Sequence, residues 1–124
     1  LFSFLRQRQF FLRDISFYYC ALAESYFNLR HYEKAVPCYQ DMLKLCYEKE
    51  RAEAYYRLGF CFLFGEDWAD AWSNFYAAQN CFRKYRPGEE PARMAQIGNM
   101  LKALNGKVAG EALVHIGINK AKGK

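Results

Sequence analysis

The chain has 124 residues and a net charge of +5, with 52 % hydrophobic and 19 % aromatic residues. This length suits one small domain, and the apolar content excludes an intrinsically disordered segment, which buries too little surface to offset the entropy of ordering. No apolar run approaches the ~18–20 residues that a membrane-spanning helix needs, so we expect no membrane partner.

The N-terminal segment, residues 1–13, carries Phe2, Leu5 and Leu12 with arginine and glutamine between them. We interpret it as a helix from a preceding or truncated repeat, because the apolar residues recur at helical spacing. Asp14 or Ser16 is expected to cap the next helix. Since the chain begins at Leu1 rather than Met, we expect it to belong to a longer chain or a complex.

Two helices are predicted next, over about 15–29 and 32–47, from apolar residues at helical spacing. Pro37 lies inside the second of them. A proline removes one N–H donor and crowds the preceding turn, so we expect a late helix start or a bend there.

A second pair of helices is predicted over about 51–64 and 67–85. Gly65 is expected to end the first of them in a left-handed conformation, because glycine adopts that conformation without steric cost. Asp67 is expected to cap the second.

The segment 86–91 contains two prolines and a glycine and is the strongest break in the chain. After it, we predict a degenerate or capping repeat over 90–118, made of one helix that ends at Gly106 and a partner over 108–118. Terminal repeats often diverge in this way because one side has no neighbour. Residues 119–124 are predicted to be a disordered tail.

One pattern of residue types occurs twice, 36 positions apart. The matched pairs are Tyr19 and Tyr55, Leu22 and Leu58, Ala23 and Gly59, Tyr26 and Phe62, Ala35 and Ala71, and Tyr39 and Phe75. Self-similarity at a period of about 20–50 residues is typical of stacked repeats. We expect the small residues to lie where two helices cross and the rings to fill the gap to the next layer.

These motifs resemble tetratricopeptide repeats. The resemblance rests on Leu22-Ala23-x-x-Tyr26 with Tyr32-Glu33-Lys34-Ala35 and Tyr39, and on Tyr55-x-x-Leu58-Gly59-x-x-Phe62 with Asp70-Ala71 and Phe75. It implies an all-α fold, an α-α superhelix of helical hairpins, with repeats at 14–50 and 51–86. The period of 36 departs from the usual 34, and the closing proline and the early tryptophan are absent.

The resemblance implies a non-catalytic function: docking a peptide segment or a subunit, as a scaffold or chaperone. Residues 67–85 and the proline-containing break that follows them resemble the helical-repeat scaffolds of proteasome-lid and signalosome subunits. The high aromatic content resembles that of type III secretion translocator chaperones. The first helix of each pair would line a concave groove suited to a protein or peptide partner with hydrophobic anchors. The predicted groove residues are Phe17, Cys20, Glu24, Phe27, Glu53, Tyr56, Phe60 and Leu63.

Two other interpretations compete with a binding groove. The same aromatic residues can pack on further repeats or on a subunit, and helical repeats with a basic, aromatic surface can bind single-stranded RNA. RNA binding is disfavoured by Glu24 and Glu53 on the inner face. No phosphate-binding loop and no catalytic grouping is present, so we expect no enzyme.

The cysteines predict a reduced, intracellular and cytoplasmic protein. They are odd in number, form no CxxC pair, and all fall in predicted helices, where a thiol serves as a small core residue. Because zinc ligands usually come in closely spaced pairs, we expect no metal and no other cofactor. The five are Cys20, Cys38, Cys46, Cys61 and Cys81.

Overall fold

The computed structural model describes the backbone of residues 2–46 and 48–115, and the side chains of residues 15–46 and 50–110. The described residues form five helices and no strand, which confirms the all-α class. The helices are α1 (Phe2–Asn28), α2 (Tyr32–Leu45), α3 (Glu48–Phe64), α4 (Trp68–Tyr85) and α5 (Pro91–His115). The predicted tail, 119–124, lies outside the described residues.

The predicted break near Asp14 is wrong, because α1 runs through it without interruption from Phe2 to Asn28. Ser16 is a buried residue within this helix and caps nothing. Serine and aspartate favour helix starts but do not enforce them, since a cap forms only where that residue itself adopts non-helical backbone angles. The late start of α2 is also wrong: it begins at Tyr32 and includes Pro37, which lies exposed on its surface.

The predicted two-helix capping repeat is also wrong, because α5 is one helix from Pro91 to His115 and passes straight through Gly106. Pro91 occupies the first helical position, where its missing N–H costs nothing. Glycine permits a helix to end but does not require it. Outside the backbone of α5 itself, no described atom lies within 4 Å of a methyl group added at Gly106, so no described element packs against the helix at this point.

The loops α1–α2 and α3–α4 have the same backbone hydrogen bonds, 36 positions apart. In each, one N–H donates to a carbonyl five residues back and another to a carbonyl three residues back, as in a Schellman cap. The bonds are His31 N to Tyr26 O and Arg30 N to Phe27 O, then Asp67 N to Phe62 O and Glu66 N to Leu63 O, with N···O distances of 2.9, 3.0, 2.9 and 3.1 Å. The duplication in sequence is therefore accompanied by a duplication in backbone structure.

The left-handed residue of each cap is not glycine. It is Arg30 in the first loop (φ 64°) and Glu66 in the second (φ 62°), so the prediction that Gly65 takes this conformation is wrong. The Schellman geometry places the left-handed residue two positions after the last helical one, which is one position beyond Gly65. Asp67 does occupy the N-cap of α4, but its side chain makes no capping hydrogen bond.

Glu66→Gly is expected to raise the free energy of unfolding by about 0.5–1 kcal/mol, because glycine accepts positive φ without the clash of a Cβ atom. Urea unfolding followed by circular dichroism measures the change. Glu33→Gly is the matched control: Glu33 lies in the first turn of α2, and this variant should lose stability by a similar amount. Equal losses in both variants would contradict the assigned loop conformation.

Two cores lie where successive helices meet, and α3 contributes to both. The first core, between α1, α2 and α3, consists of Ala23, Ala35, Cys38, Tyr39, Met42, Ala54, Leu58 and Cys61. The second core, between α3, α4 and α5, consists of Ala52, Tyr56, Ala71, Phe75, Ala78, Phe82, Ile97, Leu101 and Leu104. Because α3 is covered on both sides, the described helices form one layered stack.

The expected seam of small residues is confirmed. Ala35 and Ala71 are fully buried, and Gly59 is buried against the ring of Phe75. A Cβ atom added at Gly59 would lie 2.6 Å from two carbons of that ring, closer than such atoms approach in proteins. Glycine at this position therefore sets how closely α3 approaches α4.

Matched rings in the two cores differ by one polar atom. Tyr39 and Phe75 are both buried, and the Tyr39 hydroxyl has no hydrogen-bond partner among the described residues. Burial raises the pKa of Tyr39, since the phenolate is poorly solvated there. The phenylalanine of the second repeat avoids this unpaired group.

Candidate functional site

A groove of about 670 Å³ opens where the middle of α1 faces the end of α2 and the start of α3. We call it the acidic groove. It is lined by Ser16, Phe17, Cys20, Glu24, Met42, Leu45, Cys46, Glu50, Glu53 and Arg86. Four of these residues, Phe17, Cys20, Glu24 and Glu53, belong to the predicted groove.

Helix geometry brings these side chains together. Ser16, Cys20 and Glu24 are spaced four apart on α1, so they share one face of that helix. The far side of the groove opens where α2 ends: Cys46 leaves the helix with extended angles (φ −88°, ψ 158°), and its N–H still bonds the carbonyl of Met42 (2.9 Å).

Phe17 is the most exposed apolar side chain of the groove. It lies on α1 with 67 % of its surface accessible. Its neighbour Tyr18 is equally exposed (65 %) but does not line the groove, and it packs edge-on against Tyr19 at 5.7 Å. A large ring left open in a concave surface is the kind of group that binding partners cover.

The carboxylates of the groove differ in their partners. Glu53 is paired with Arg57 (3.5 Å) on α3 and with Arg93 on α5. Glu24 and Glu50 have no ion pair with any cation whose side chain is described. Two carboxylates therefore face the groove without a described counter-charge.

Among the described residues that line the groove, the one cation is Arg86, and it is already paired with carboxylates. Its guanidinium is paired with Glu89 (3.1 Å) and Glu90 (3.7 Å) of the α4–α5 loop. Within the described part of the groove, the negative charge of Glu24 and Glu50 is therefore not balanced by an ion pair.

The two thiols of the groove are poor nucleophiles. Burial, followed by the neighbouring Glu24 carboxylate, raises the pKa of Cys20. Burial raises the pKa of Cys46 to about 11. Both stay protonated near neutral pH, and the thiolate is the reactive form, so the groove offers no activated cysteine. Within the described side chains, no three histidine, cysteine or acidic residues are placed to hold a metal ion.

A second, shallower concavity of about 380 Å³ lies at the loop end of the same helices. We call it the aromatic basket. It is lined by Phe27, Asn28, Arg30, Tyr32, Tyr56, Arg57, Phe60 and Phe64. The ring centres of Tyr32 and Phe64 lie 4.9 Å apart. The Arg57 guanidinium lies 5.3 Å from the centre of the Phe27 ring.

The predicted groove residues are thus divided between two concavities. Phe27, Tyr56 and Phe60 lie in the aromatic basket, whereas Leu63 lines neither concavity and packs against the second core. Their role in binding stays a prediction.

Tyr56 differs from expectation in its exposure, since it is buried (8 % accessible) and belongs to the second core. Helix α5 covers it: the Tyr56 hydroxyl donates to Gln96 Oε1 (2.7 Å), and the Arg93 guanidinium lies 4.8 Å from the ring centre. The sequence pattern placed Tyr56 on the open side because it did not show where α5 packs.

Sequence reasoning missed six groove residues, and all of them except Ser16 lie near helix ends: Ser16, Met42, Leu45, Cys46, Glu50 and Arg86. Glu50 had a usable signal, because it lies three residues before Glu53 and so shares its face of α3. Cys46 and Arg86 had none. Cys46 and Arg86 lie at the groove because of how successive helix pairs pack on each other. The spacing of residues in the sequence does not show this packing.

No protein-family model, no curated protein and no solved structure matches this chain. Within the described residues, none of the helices combines the length and the apolar character that crossing a membrane requires.

Proposed function

We propose that this protein is a non-catalytic interaction module, a tetratricopeptide-like superhelix that holds a segment of another protein chain in the acidic groove. Its role is that of a scaffold or chaperone in the cytoplasm. The duplicated Schellman loops support the repeat architecture, and the reduced thiols of Cys20, Cys38, Cys46 and Cys61 support a reducing compartment. The protonated thiols of the groove are consistent with a surface that binds without reacting.

The exposed ring of Phe17 is the observation that carries this proposal. It lies in a groove large enough for several side chains of a partner, beside the apolar side chains of Met42 and Leu45. Aromatic residues at the centre of such surfaces supply much of the binding energy, because a partner removes them from water. The two unpaired carboxylates of the groove, Glu24 and Glu50, oppose the RNA alternative, since they repel a phosphate backbone.

Peptides selected on the wild-type protein from a random 16-residue display library should bind Phe17→Ala at least about fivefold more weakly, since an aromatic anchor is worth about 1–3 kcal/mol. Fluorescence anisotropy of labelled selected peptides measures the dissociation constants. Tyr18→Ala is the matched control, because it removes an equally exposed ring outside the groove and should leave affinity within about twofold.

Three results would contradict the proposal. One is the absence of any enriched peptide, and another is equal binding to the wild type and to Phe17→Ala. The third is retention of single-stranded polyuridylate at physiological salt that Phe17→Ala abolishes, which would assign the surface to RNA instead.

A further inference from the structure

We infer that the occupant of the acidic groove is a basic, apolar segment of a partner protein, with a lysine or arginine facing Glu24 and Glu50 and a large apolar side chain on Phe17. This inference rests on the proposed function and adds the chemistry of the partner to it.

Charge complementarity is the first argument. Glu24 lies on α1 and Glu50 on α3, so the two carboxylates approach the groove from different helices. Neither is paired with a described cation, whereas Glu53 is held by Arg57 and Arg93. A cationic side chain between Glu24 and Glu50 would supply the missing counter-charge at close range.

The apolar lining is the second argument. Phe17 and Cys20 on α1 and Met42 and Leu45 on α2 lie beside the carboxylates in the same groove. A purely charged ligand would leave the Phe17 ring in water, and a purely apolar one would desolvate Glu24 without replacing its hydration. A segment that carries both kinds of side chain satisfies both parts of the surface.

An acidic segment fits poorly. It would place its carboxylates beside Glu24 and Glu50, and Arg86, the guanidinium among the described lining residues, is already shared between Glu89 and Glu90. Like charges brought together in a partly desolvated groove disfavour the complex, which gives the surface its selectivity.

The library selection tests this directly through the composition of the enriched peptides. Peptides enriched on the wild type should contain lysine or arginine next to leucine, phenylalanine or methionine. The double variant Glu24→Lys/Glu50→Lys should bind these peptides at least about tenfold more weakly. Affinity for the wild type should also fall as salt rises from 50 to about 500 mM, because the contacts are solvent-exposed.

The charge-matched control is Glu33→Lys/Glu66→Lys, which changes the net charge equally through two exposed residues outside the groove. It should leave affinity within about threefold. Enriched peptides that depend on Phe17 but carry no basic residues, or that bind both double variants equally, would overturn the inference while leaving the proposed function intact. Loss of all dependence on Phe17 would overturn the proposed function itself.

Discussion

Phe82→Ala is expected to lower the free energy of unfolding by about 3–5 kcal/mol, because it removes a large ring from a site that cannot collapse around the loss. Phe82 is 1 % accessible and lies in the second core between α4 and α5. The guanidiniums of Arg86 and Arg93 lie 5.8 and 5.7 Å from its ring centre, so the same ring also holds the α4–α5 connection in place.

Tyr76→Ala is the control for this loss. Tyr76 lies on the same helix but is 46 % accessible, and it stacks on Trp72 with ring centres 5.0 Å apart. Its removal should cost no more than about 1 kcal/mol. Urea unfolding followed by circular dichroism compares the two variants. Similar losses would show that Phe82 does not anchor α5 to α4.

Gly59→Ala is expected to destabilise the fold by about 2 kcal/mol. The added methyl group would lie 2.6 Å from the ring of Phe75, which is fully buried and cannot swing into solvent. Overpacking of this kind lowers the free energy of unfolding by up to about 3 kcal/mol, and the better helix propensity of alanine raises it by about 1 kcal/mol. The clash therefore exceeds the propensity gain.

Two further variants isolate the clash. At Gly98 an added Cβ meets nothing within 4 Å, so Gly98→Ala should stabilise the protein by about 0.5–1 kcal/mol. The double variant Gly59→Ala/Phe75→Leu should be less destabilised than the sum of its single variants, since a smaller side chain gives the methyl group room. A stabilised Gly59→Ala variant, or strict additivity, would show that α3 and α4 are not in close contact at this point.

The helices and the small-residue seam were accessible from sequence because they depend on local spacing. The α4 helix has the predicted end at Tyr85, and Ala35 and Ala71 are buried as the repeated pattern predicted. Apolar periodicity acts within a few turns of one helix, so residue order alone carries it. The groove residues Phe17 and Glu24 were found for the same reason, as they lie on one stretch of α1.

The continuity of α1 and α5 was not accessible in this way. Ser16 and Gly106 are residues that accompany helix ends, yet the helix passes through both. Such residues lower the cost of ending a helix, but whether it ends depends on whether a following segment finds a surface to pack on. Apart from the backbone of α5, no described residue comes within 4 Å of the position that a Cβ at Gly106 would occupy.

Residue order by itself determined the all-α class, the duplicated hairpin and the pairing of small residues with rings, because each depends on side chains that lie close together in the chain. Only the tertiary structure decided which residues of α3 are covered by α5 and which line the acidic groove. Helix α5 covers Tyr56 through a bond to Gln96, 40 positions away, while the α4–α5 loop brings Arg86 to the acidic groove. Contacts over such separations depend on how whole helices pack, and this packing leaves no periodic signal in the sequence of either partner.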